Sequence, residues 1–76
     1  MQAYEAMREV YDACTGKWEV DGSFTRDVRG QTPDQAMQSW FHGRLPPHRR
    51  SAQADGSVTY QLDPPVGERY LFSALC

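Results

Sequence analysis

Tyr4-Glu5-Ala6-Met7-Arg8-Glu9-Val10-Tyr11-Asp12-Ala13-Cys14-Thr15-Gly16 is the stretch on which the fold class turns. Its apolar members Tyr4, Met7, Val10, Tyr11 and Cys14 recur at helical spacing, while Glu5, Arg8, Glu9 and Asp12 fill the other face. Thr15-Gly16 supplies a stop, because glycine tolerates the left-handed conformation that ends many helices. Glu5 and Glu9 lie near the start, where acid complements the helix dipole. The spacing predicts an amphipathic N-terminal helix with Cys14 on its apolar side, as a small core residue.

Outward from that segment, Lys17 to Val20 and Ser23 to Arg29 alternate as strands do, with Asp21-Gly22 between them. A two-residue turn there would place Phe24 and Val28 opposite Trp18 and Val20. A three-residue loop, Asp21 to Ser23, pairs Val20 with Phe24 and keeps the apolar residues together, so a hairpin with the longer loop is preferred. One long bent strand stays open as the alternative, since Trp18, Val20, Phe24 and Val28 share parity.

A second helix is announced by Thr32-Pro33-Asp34-Gln35. Thr32 suits the N-cap, Pro33 the first helical position and Asp34 the dipole, and Gln35 completes a capping box. Ala36, Met37, Trp40 and Phe41 form the stripe that faces the core, and the helix runs from Pro33 to His42, with Gly43 ending it. Arg44 to Asp55 shows no periodicity and reads as a long loop. Ser57 to Leu62 alternates as a strand, Asp63 to Gly67 is a turn, and Arg69 to Ala74 is a last strand with Tyr70 and Phe72 on one face and Leu71 on the other. The expected assembly is α+β: a four-stranded, mostly antiparallel sheet with two helices packed on one face, in the order αββαββ. Its core would bring Trp18, Val20, Phe24, Val28, Val58, Tyr60, Tyr70 and Phe72 against Met7, Val10, Ala36, Trp40 and Phe41.

Seventy-six residues make a single domain, 1–76. A content of 39% hydrophobic and 24% charged residues argues against disorder, which needs low hydrophobicity and high net charge. No apolar run has the length of a membrane span, and the N-terminus lacks a basic region followed by an apolar stretch, so a cytoplasmic protein is expected. Two cysteines, Cys14 and Cys76, fit free thiols in a reducing compartment. Neither the cysteines nor His42 and His48 have metal-ligand spacing, so no metal and no cofactor are expected. His42 sits where a cation favours a helix C-terminus, and no nucleophile–base or phosphate-loop pattern stands out. Binding rather than catalysis is the expected activity.

The charge distribution says where. The formal net charge is −2, but Arg26, Arg29, Arg44, Arg49 and Arg50 outnumber Asp27 and Asp34 in the middle of the chain, while both ends are acidic. Arg44, His48, Arg49 and Arg50, with Arg26 and Arg29 beside them, are the candidate partner-binding residues. Arginine is enriched at protein interfaces. The same cluster could meet phosphates as a small RNA-binding module, although no aromatic RNA-binding motif is present. The last strand, Tyr70 to Leu75, could also pair with its copy in a homodimer.

The stretch from Thr32 to Pro46 resembles a segment of small phage-encoded anti-CRISPR proteins that inhibit type I surveillance complexes. The matching residues are Gln35, Ser39, Trp40, Phe41, Gly43, Leu45 and Pro46, within about a fifth of the chain. The chain departs from that pattern in its expected N-terminal helix and its basic loop. The resemblance implies a small α+β protein that occupies a surface of a host protein or protein–nucleic acid assembly and sterically blocks target DNA.

Overall fold

The stretch from Tyr4 to Asp12 is a strand. The computed structural model describes residues 3–62 and 67–75. In chain order its elements are β1 (Ala3–Asp12), β2 (Lys17–Arg29), α1 (Pro33–Trp40), β3 (His48–Ala52), β4 (Val58–Leu62) and β5 (Glu68–Leu75). The strands form one antiparallel sheet in the order β2-β1-β5-β4-β3. The expected four strands and two helices are therefore corrected to five strands and one helix among the described residues, in the order ββαβββ.

The physical reason lies in the position of β1. It is flanked by β2 and β5, with register running from Ala3↔Arg29 to Asp12↔Lys17 on one side and from Ala3↔Leu75 to Val10↔Glu68 on the other. Ladders on both sides outweigh the modest helix preference of Ala, Glu, Met and Arg. Ala6 has no exposed surface and belongs to the core, while Met7 points to the opposite face. A strand with apolar residues on both faces loses its alternation, and here the mixture mimicked a helical period. The expected helix stop, Thr15-Gly16, instead ends the hairpin between β1 and β2. Gly16 takes φ 72° and its N–H donates to the Asp12 carbonyl at 2.7 Å, while the Cys14 N–H donates to Asp12 Oδ1 at 2.9 Å. Cys14 is exposed in this turn rather than buried in a core.

No hairpin forms at Asp21-Gly22; the long bent strand does. Met7 pairs with Thr25 and Glu9 with Val20, so Arg8 alone faces the four residues Asp21 to Phe24. This bulge shifts the register by an odd number of residues. Trp18 and Val20 therefore share the face of Glu9 and Tyr11, whereas Phe24 and Val28 share the face of Ala6. Shared parity in the sequence becomes opposite faces in the sheet. Asp21 Oδ1 holds the bulge by accepting from the Ser23 N–H at 3.0 Å and the Ser23 hydroxyl at 2.6 Å, and its other oxygen accepts from the Arg8 guanidinium. These bonds pull the Asp21 carboxyl down to about 2, with the Ser23 hydroxyl the largest cause and Arg8 next.

α1 forms where its caps predict. The Thr32 side chain accepts from the Gln35 N–H at 3.2 Å, and the Gln35 side chain accepts from the Thr32 N–H at 2.9 Å. The helix ends at Trp40, two residues short of His42, because Gly43 N–H reaches back to the Gln38 carbonyl (2.7 Å) and His42 N–H to that of Ser39 (3.2 Å). α1 buries Pro33, Ala36 and Met37 against the sheet. Trp40 stacks on Phe72 at 5.5 Å and meets Phe24 edge-on at 5.4 Å, and Phe41 meets Tyr70 edge-on at 5.8 Å. Ala6, Val28, Val58, Tyr60, Leu62, Tyr70 and Phe72 complete this core. Met7, Trp18 and Val20, expected there, lie on the other face, and Val20 is 56% exposed.

β5 keeps its expected faces, with Tyr70 and Phe72 buried and Leu71 turned away. It lies between β4 and β1, so the edge expected to join two copies is already paired within the chain. The turn expected at Asp63 to Gly67 falls largely outside the described residues, as does Cys76. Among the described residues no helix is long and apolar enough to cross a membrane.

Candidate binding edge

Arg44 to Asp55, read as loop, contains the edge strand β3. His48, Arg49, Arg50, Ser51 and Ala52 are all exposed, so no apolar alternation marks them as a strand. Pairing with β4 defines them: His48↔Leu62, Arg50↔Tyr60 and Ala52↔Val58. Among the described residues no strand pairs with the outer side of β3.

The hairpin that joins β3 to β4 tells which backbone groups face outward. Gln53 N–H donates to the Ser57 carbonyl at 2.8 Å, and the constant register makes 51/59 and 49/61 the next hydrogen-bonded pairs inward. By that alternation, the N–H and C=O of His48, Arg50 and Ala52 point away from β4. The side chains divide by face. Arg50 and His48 lie on the α1 face with Tyr60 and Leu62, and Arg49 lies on the opposite face with Gln61.

Arg50 has a structural attachment. Its Nε donates to Asp34 Oδ1 at 3.1 Å, and its guanidinium lies 5.9 Å from the centre of the Tyr60 ring. Tyr60, fully buried, donates its hydroxyl to the same Asp34 oxygen. The Asp34 carboxyl is held below its ordinary range, first by the Tyr60 hydrogen bond and then by the Arg50 charge. Burial, then Asp34, push the Tyr60 phenol up to about 12. The first turn of α1 is thus fastened to β3 and β4. His48 Nδ1 lies 2.9 Å from the Pro46 carbonyl, and its ring is 5.8 Å from that of Tyr60. Arg44 is exposed on the connection from α1, its N–H bonded to the Phe41 carbonyl at 2.9 Å.

Arg26 and Arg29 do not join this group. They lie on β2, the opposite edge of the sheet, four strand spacings or about 19 Å away. Arg26 rests over Phe24 at 4.7 Å and donates to the Thr25 carbonyl at 3.1 Å. Six residues expected as one cluster are therefore a basic edge at β3 and two arginines elsewhere.

The face away from α1 was not anticipated. Met7, Leu71, Trp18, Val20 and Tyr11 make it partly apolar. Arg69 crosses it, its guanidinium 4.4 Å from the Trp18 ring centre and its Nε 2.6 Å from Glu9 Oε1. Tyr11 and Trp18 meet edge-on at 5.4 Å and, with Gln61, Leu62 and Gly67, line a concavity of about 270 Å³. Their period-two spacing was visible, but the assignment of β1 as helix hid their common face. Charges on this face balance, with Arg29, Arg69 and Arg49 against Asp27, Glu5 and Glu9.

Among the described residues no group of His, Cys, Asp and Glu is arranged to hold a metal ion. No family model matches the chain, and neither a curated protein nor a solved structure matches it.

Proposed function

We propose that this chain is a small non-enzymatic binding protein of the cytoplasm, whose contact surface is the β3 edge with the connection before it: Arg44, His48, Arg49 and Arg50. The observation that carries the reading is the exposure of every β3 residue on a short, basic edge whose backbone is held in place by the Arg50–Asp34–Tyr60 attachment. A rigid cationic edge presents arginine at low ordering cost, which favours an interface. With the resemblance around Thr32 to Pro46, the partner is a host assembly such as a CRISPR surveillance complex, and the action is steric block of its DNA contact.

The test is a gel shift of target DNA with a type I surveillance complex, with and without the protein. The parent chain is expected to suppress the shift, and an Arg44→Glu, Arg49→Glu double variant to lose at least about tenfold in potency, roughly 1.4 kcal/mol. Arg50 is left intact because it holds α1. Equal potency of parent and variant removes this edge from the contact surface, and no suppression by the parent removes this partner. RNA binding through the same arginines is an outcome read separately: a shift of mixed RNA that falls steeply with salt.

A further inference from the structure

We infer that the β3 edge takes an extended, acidic segment of its partner as a sixth strand of the sheet. The inference rests on the reading of β3 as the contact surface and adds the manner of contact. Three outward-facing backbone residues, His48, Arg50 and Ala52, offer alternating N–H and C=O groups along an exposed strand with no described strand on its outer side. Such an edge is a template for an added strand, in which main-chain bonds provide affinity and side chains on alternate faces provide specificity.

Charge selects the occupant. β3 carries His48, Arg49 and Arg50 and no acid. A second copy added antiparallel would bring arginines against arginines, and like charges across strands are destabilising. An acidic strand meets the opposite situation. One carboxylate falls beside Arg49 on the open face, and another falls beside His48 and Arg50 on the α1 face, where Asp34 already takes one arm of Arg50. Pro46 and Pro47 precede β3, and the Gln53–Ser57 turn follows it, so the docking length is about five residues. The other edge differs: β2 is interrupted by its bulge and carries both signs of charge, with Glu19, Asp21 and Asp27 beside Lys17, Arg26 and Arg29.

The test is a titration of the isotope-labelled full chain, followed by amide resonances, with a capped seven-residue peptide, Val-Glu-Glu-Val-Glu-Glu-Val, whose adjacent glutamates put carboxylates on both faces of an added strand. A second peptide carries N-methyl groups on alternate backbone amides, and a third has lysine for glutamate. The expected result is slowed exchange and shifted resonance at the amides of His48, Arg50 and Ala52. Affinity should fall at least about tenfold for the N-methylated peptide, and the lysine peptide should not bind. Arg49→Glu should weaken the acidic peptide without changing the rest of the spectrum. Equal binding of the N-methylated peptide overturns strand addition but leaves the basic surface in place. Shifts confined to β2, or none at millimolar peptide, overturn the inference. The DNA gel shift decides the underlying surface independently of both outcomes.

Discussion

The two faces of the sheet share five strands and differ in what covers them. On one face, Ala6, Tyr60 and Phe72 lose essentially all contact with solvent beneath α1, whose own Ala36 and Met37 are buried against them. On the other, Met7 and Leu71 are half-buried by their neighbours alone, and Tyr11 and Val20 remain 44% and 56% exposed. In a chain this short, one layer of helix covers one side only, and a single thin core must supply most of the stability. The open face and the edges are then the places where residues can be chosen for purposes other than folding.

Adjacent residues of β5 should separate the two faces most strongly. Phe72→Ala empties the covered face and is expected to cost about 3–5 kcal/mol. For a domain with roughly 5–15 kcal/mol in total, that approaches loss of the fold. Leu71→Ala, one residue away on the open face, is expected to cost about 1 kcal/mol because less apolar surface leaves water there. Urea denaturation of both variants measures the ratio, and equal costs would mean that the open face is packed in solution.

Next in size is the attachment of α1. Tyr60→Phe removes the hydroxyl that serves Asp34 and is expected to cost about 1–2 kcal/mol. The same variant has a signature in pH. The folded Asp34 carboxyl is held below its ordinary range, so its ionised form stabilises the fold. That contribution is fully present above the unfolded aspartate pKa and is lost as pH falls through the lowered folded value. Tyr60→Phe should therefore show a shallower decline of the urea midpoint on acidification, and an unchanged decline would detach Tyr60 from Asp34. Thr32→Ala loosens α1 from its other side by removing the N-cap, at about 1 kcal/mol by the same measurement. The smallest effect is expected on the open side, where Val20→Lys should stay within about 0.5 kcal/mol of the parent. A cost several times larger would show that Val20 is covered.

What was legible in the sequence follows physical range. The capping box at Thr32 and Gln35 spans three residues and specifies its own helix, so α1 was read nearly to the residue. β4 and β5 alternate because one face of each is buried and the other is less so. β1 was not legible as a strand, since Ala6 and Met7 are sheltered on opposite faces and erase the period. β3 was hidden for the reverse reason: His48 to Ala52 are all exposed, so no apolar alternation marks either face, and only long-range pairing with β4 reveals them. The candidate site divides in the same way. Arg44, His48, Arg49 and Arg50 are neighbours in the chain and stay neighbours in space. Whether Arg26 and Arg29 join them depends on strand order, which places β2 and β3 at opposite ends of the sheet.

The bulge in β2 has a consequence for how this chain can change in length. The faces of Trp18 and of Val28 are each set by their own pairing with β1, so nothing requires the number of residues between them to stay fixed. A residue added between Thr25 and Val28 would instead turn Val28 over and expose it. At Gly22, an added side chain meets nothing within 4 Å, and the flanking ladders hold their places independently. Gly22 is therefore the point where an insertion or a grafted reporter can be accommodated inside a strand without scrambling either layer.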